Sequence, residues 1–208
     1  MPLELDLTSV VVLGAWNPAI INPAWLGRYK IVEEVPESLA MEFYTGGRRF
    51  RFSLGELDWR VDDSRLEIVS RDGRDCGSCA ARILDLLPHT PIEAVGANFA
   101  FRCPREEWPA DLLPRLGDVG PPGESEAGDL QQVEWVATYA LSEEGRLQVR
   151  VAARSADGIV AAFNVHRNVA DAEQAAKVAG AWAKDRDIVL DQLKSLFGLD
   201  YSWPAQQP

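Results

Sequence analysis

The chain has few residues able to move protons near neutral pH: its 208 residues include 2 histidines, 3 cysteines and 2 methionines. No Walker sequence, dinucleotide-binding glycine fingerprint or zincin helix is spelled in it, so none of those site types is written as a motif. General-base work would fall to His89 or His166, and neither stands near a nucleophile-elbow pattern. An enzyme built from this inventory would have to rely on scattered carboxylates.

Positive charge is scarce as well. Lys30, Lys177, Lys184 and Lys194 are the whole lysine complement, and 21 basic residues face 32 acidic ones for a net charge of −11. The deficit is even, with 13 basic against 19 acidic residues through Asp118 and 8 against 13 beyond it. No basic half exists, which argues against sequence-independent binding to nucleic acid or to an anionic membrane. Long hydrophobic runs are missing too: Val10 to Trp16 is far too short for a membrane span, and Glu4 and Asp6 stand where a signal peptide would be basic. The expected compartment is the cytoplasm, where three cysteines fit reduced thiols better than a disulfide framework.

What is present is patterning. Hydrophobic residues make up 47% of the chain, enough for one substantial core or two small ones sharing a sheet. Residues 5–14 alternate as a strand, and the Asn17-Pro18 and Asn22-Pro23 steps punctuate the chain before a short helical turn through Trp25 and Leu26. Leu39, Met41 and Phe43 pair across Gly46-Gly47 with Phe50, Phe52 and Leu54 as a hairpin. A second hairpin joins Leu57, Trp59 and Val61 to Leu66 and Ile68 through Asp62-Asp-Ser64.

Asp75 to Leu87 reads as a helix capped by Asp75, with Cys79, Ile83, Leu86 and Leu87 at helical spacing, and Pro88 stops it. Ile92 to Arg102 is a strand in which Gly96 marks a bulge or a close backbone approach, followed by a short helix around Glu106 to Leu116. Beyond a stretch rich in glycine, proline and acid come three alternating segments, 133–141, 147–153 and 159–165, the pattern of an antiparallel meander. Its turns are expected at Glu143-Glu-Gly145 and Ala156-Asp-Gly158. A long helix from about Asp171 to Phe197, its apolar stripe interrupted at Arg186, should lie across the meander, with Tyr201 and Trp203 tucking back onto the core.

The expected fold class is therefore α+β, with two antiparallel-sheet-plus-helix halves. Residues 1–117 form the first, 118–128 a flexible loop, and 129–208 the second, a three-stranded meander covered by the long C-terminal helix.

Two constellations could carry chemistry. Cys76 and Cys79 form a Cys-x-x-Cys at a helix start, where the helix dipole would favour the thiolate; redox proteins of thioredoxin type, however, place that helix after a parallel strand, and antiparallel hairpins precede it here. Adding His89 and Cys103 gives the ligand types of a tetrahedral zinc site. Against it, His89 follows the far end of the helix, about 15 Å from Cys76 at 1.5 Å per residue. The alternative is reduced, partly buried thiols.

The second constellation is polar. Asn164, His166 and Asn168 share one strand face, and Arg146, Arg150 and Arg154 share the polar face of the neighbouring strand. Together they could line a groove or grip a carboxylate-rich or phosphorylated ligand. With Arg48, Arg49, Arg51 and Arg60 on the first hairpins, they could equally be paired across strands by Glu42, Asp58, Glu67 and Glu134. Seven tryptophans, among them Trp16, Trp25 and Trp108, could build an interaction surface or a core.

The succession Phe52-Ser53, Leu57-Asp-Trp-Arg-Val61, Ala80-Ala-Arg-Ile-Leu84 and His89-Thr-Pro-Ile-Glu-Ala-Val-Gly-Ala-Asn-Phe99, with the ending Leu196-Phe-Gly-Leu199, resembles a sporadically distributed group of bacterial proteins of unknown function. The resemblance implies an α+β fold of two sheet-and-helix halves and an accessory role in bacteria; it carries no catalytic motif, and the Cys-Gly-Ser-Cys pair lies outside it. The leading expectation is a non-enzymatic interaction protein without a cofactor, binding a protein partner or itself. The competing readings are a zinc or thiol protein centred on Cys76, Cys79, His89 and Cys103, and a small-ligand module anchored by His166 or the arginine stripe.

Overall fold

A computed structural model describes residues 3–33, 35, 41–44, 49–103, 132–142, 145–154 and 158–204. The short helix expected at 106–116, the loop 118–128, the expected turns at Gly46-Gly47, 143–144 and 155–157, and Arg48 and Trp108 lie outside these residues.

Among the described residues nine strands form one sheet: β1 (Glu4–Gly14), β2 (Met41–Tyr44), β3 (Arg49–Leu54), β4 (Leu57–Val61), β5 (Arg65–Ser70), β6 (Ile92–Cys103), β7 (Gln132–Ala140), β8 (Gly145–Arg154) and β9 (Gly158–Asn168). Their order is β2-β3-β4-β5-β1-β6-β9-β8-β7, with every neighbouring pair antiparallel. The class is α+β. The two expected halves are not separate sheets, because β6 hydrogen-bonds to β1 on one side and to β9 on the other, from Ala94↔Asn168 to Cys103↔Ile159.

The helices are α1 (Pro23–Arg28), α2 (Cys76–Leu86), α3 (Ala172–Gly180) and α4 (Trp182–Phe197). Asn22 caps α1 by accepting from the Trp25 amide, and Asp75 caps α2 by accepting from the Gly77 and Ser78 amides. Alternation decides which sheet face is covered. Val10 and Val12 of β1, Trp59 of β4, Phe99 and Phe101 of β6, and Phe163 and Val165 of β9 turn one way and are fully buried under the helices.

The single helix expected over 171–197 is two helices that break at Ala181. Both pack on α2 and β6: a Cβ on Gly77 would come within 2.2 Å of the Ala179 carbonyl oxygen of α3 and 2.4 Å of the Trp182 Cβ of α4, and α4 sets Trp182 beside Phe99 of β6 and Phe197 beside Phe163 of β9. Gly180, a weak helix former, is the last residue of α3, next to the break.

Inside the stripe of α4, Asp185 turns inward and is 2% exposed, and Arg167 at the end of β9 holds it with two hydrogen bonds. Arg186, read from sequence as the interruption, stacks over Trp203 at 5.6 Å. Gly198 ends α4 with φ of 66°, and the chain then folds back as expected: the indole of Trp203 donates to the Gly73 carbonyl, and Tyr201 packs on Phe101.

Candidate functional site

The first turn of α2 places both thiols of the Cys-x-x-Cys pair on the covered side. Cys76 is fully buried next to the Thr8 hydroxyl of β1, and its Sγ donates to the Arg74 carbonyl oxygen at 3.6 Å. Burial pushes the Cys76 thiol far above its ordinary value, with the charges of Cys79, Asp75 and Asp72 adding to the effect and the Thr8 hydroxyl opposing it. Burial likewise pushes Cys79 up to about 11, with Asp75 adding and Arg82 opposing. This is opposite to the direction expected from the helix dipole alone: desolvation of the first turn outweighs it, and both groups are thiols at neutral pH.

The four proposed zinc ligands are not brought together. His89 is exposed in the turn after α2, Cys103 is buried at the end of β6, and among the described residues no three His, Cys, Asp or Glu side chains gather in a way that could hold a metal ion. Beside Cys79 lies an open groove of about 430 Å³, lined by Ile31, Val32, Leu57, Arg74 and Asp75 among others. The Arg74–Glu56 ion pair lies at this groove.

The polar constellation, by contrast, is assembled, and on the other face of the sheet. The register sets Asn164 opposite both Asn98 of β6 and Gln148 of β8, and His166 opposite both Gly96 and Arg146. Asn98 is in turn opposite Ser9, and Gln148 opposite Thr138. A polar row thus crosses five adjacent strands as Ser9, Asn98, Asn164, Gln148 and Thr138. Its inner members are hydrogen-bonded: Asn164 donates to Asn98 at 2.5 Å, and Asn98 donates to Ser9 at 3.0 Å. His166 Nε2 lies 3.1 Å from Asn168 Oδ1, which fixes the ring beside the row.

Small residues let this surface lie flat. Gly96, Ala94 and Ala100 of β6 and Ala162 of β9 face the same way, and a Cβ on Gly96 would approach the Asn164 amide nitrogen to 3.2 Å. Toward β8 and β7 the surface opens to solvent: Arg146, Gln148, Arg150, Glu134, Val136 and Thr138 are all exposed.

Several arginines have the ordinary cross-strand partners. Arg150 pairs with Glu134 at 2.8 Å, Arg60 with Glu67 at 3.2 Å, and Arg51 approaches Glu42 at 3.8 Å. Asp58 lies 3.9 Å from Arg71 and accepts from Ser53. No described acidic side chain pairs with Arg146, and Arg154 is placed by its backbone alone, opposite Gly158. Sequence reading missed Ser9 and Asn98, because the bond from Asn98 to Ser9 spans 89 residues and that from Asn164 to Asn98 spans 66, which leaves no local signal. It also missed that the outermost strand, β7, carries Trp135 and Tyr139 half-buried on one face and Val136 48% exposed on the other.

Compared with protein-family models and with curated proteins, the chain matches none.

Proposed function

We propose that this chain is a non-enzymatic interaction protein that binds a protein, either a partner or a second copy of itself, through the β7–β9 end of its sheet. The observation that carries the reading is the one-sided layering there. Among the described residues α3 and α4 lie on one face, against β6 and, through Phe197 and Asp185, against β9, while the opposite face over β7 and β8 presents arginine, amide and hydroxyl side chains on a hydrogen-bonded base. Such a surface offers many hydrogen-bond donors and little concavity, which suits a protein surface better than a small molecule. The acidic whole with local arginines adds selectivity by charge.

Site-specific photo-crosslinking in cells tests it, with the probe at Val136 on the open face or at exposed Lys184 on α4 as control. A discrete product from position 136 and none from position 184 is expected, its mass telling a second copy from another protein. No product from position 136, or equal products from both, overturns the reading.

A further inference from the structure

We infer that β7 is a self-pairing strand, adding antiparallel to β7 of a second copy about a two-fold axis through Val136 so that two nine-stranded sheets become one. The inference rests on the protein-binding reading above and names the partner. Sheet edges in soluble proteins are protected by shortness, lysine, proline or bulges. The β2 edge follows that rule with four residues. Among the described residues the β7 edge does not: it runs nine residues without proline or glycine, carries Glu134 as its sole charge, and keeps unbroken register with β8 from Gln132↔Arg154 to Ala140↔Arg146.

Its order of residues is also compatible with its own reverse. A two-fold through Val136 sets Trp135 opposite Ala137, Glu134 opposite Thr138 and Val133 opposite Tyr139, so large residues meet small or β-branched ones and no like charges face each other. Glu134 is already held by Arg150 of its own chain at 2.8 Å, so it brings no free charge to the seam. Trp135 and Tyr139 are left half-buried, and a second strand beside them would extend their cover. The contact is isologous, so it closes at two copies and does not propagate into a fibre.

The register is testable. Under mild oxidation, Val136→Cys should form a disulfide between two copies, because directly opposed residues place their Cβ atoms about 5 Å apart. Thr138→Cys should not, since its two copies would be four residues apart along the seam, roughly 14 Å at ~3.4 Å per residue. Wild type controls for the native thiols. Light scattering should give a wild-type dimer, V136K and V136E should each weaken it at least about tenfold through like charges at the axis, and mixing the two should restore it.

A wild-type monomer across the concentration range, equal crosslinking at 136 and 138, or no recovery on mixing overturns the inference, with circular dichroism confirming that each variant is folded. A photo-crosslink from position 136 to a different protein, in a chain that stays monomeric, overturns self-pairing alone. No product of any kind overturns both readings.

Discussion

Arg167 at the end of β9 grips Asp185 of α4 end-on, Nη1 to Oδ2 at 2.8 Å and Nη2 to Oδ1 at 2.6 Å, so the last strand and last helix are fastened by one bidentate pair. Removing one member strands a charge where water does not reach. Arg167→Met should lower unfolding stability by roughly 3 kcal/mol, while the double replacement R167M/D185L should cost clearly less, because no uncompensated carboxylate remains. Urea denaturation of both variants checks this; equal losses would show that packing, not charge, is at stake.

The same carboxylate sets a slope with pH. Burial raises the Asp185 pKa, and the hydrogen bond and charge of Arg167 oppose that rise without cancelling it. A raised folded value means that the native state holds the proton more tightly than the unfolded chain, so this group's contribution falls as pH rises through that value and is restored below the ordinary aspartate pKa of about 3.9. The difference in urea midpoint between wild type and Asp185→Asn should therefore shift in favour of wild type as pH drops from 7 toward that limit. A difference that moves the other way would mean the pair depresses the carboxyl.

Gly77 is the point where α2 meets the C-terminal helices. A methyl group there would sit 2.2 Å from the Ala179 carbonyl oxygen and 2.4 Å from the Trp182 Cβ, both fixed by packing. Gly77→Ala improves helix propensity, yet steric overlap should win and cost at least about 2 kcal/mol. Thermal melts would register a lower Tm; an unchanged or raised Tm would show that α3 can withdraw freely.

The thiols should be quiet at neutral pH. With Cys76 and Cys103 buried and the Cys79 value near 11, a thiol reagent at pH 7.5 should label the native chain slowly and label all three cysteines quickly in denaturant. Stability should be indifferent to Cys79 below an ordinary thiol pKa of about 8.5, and its contribution should fall between there and about 11 as the unfolded chain ionises first. Rapid stoichiometric labelling of native protein at pH 7.5 would restore the reactive-dithiol reading.

Where structure depends on neighbours in sequence, it was legible. The hairpins at 50–54, 57–61 and 65–70 follow from period-two alternation around tight turns, and α2 follows from the Asp75 cap and the Pro88 stop. Contacts between distant segments were not. Nothing in Thr8 to Val12 announces that this strand lies between β5 and β6, and an apolar stripe that runs on past Ala181 hides the break there. Asn164, His166 and Arg146 could be nominated from strand parity, but Ser9 and Asn98 join them only through register.

The central place of β1 has a consequence for the nascent chain. Its partners are β5 and β6, and its contact with β6 closes a loop of some ninety residues between Ser9 and Asn98, whereas the hairpins from β2 to β5 close over a handful. Local hairpins therefore precede the middle of the sheet, and the run Val10-Val11-Val12 leaves the ribosome long before β6 exists to pair with it. During that interval the emerging polypeptide exposes its most adhesive strand, so synthesis at high rate should overload chaperones and send β1 into inclusion bodies, and slower translation at low temperature should raise the soluble yield.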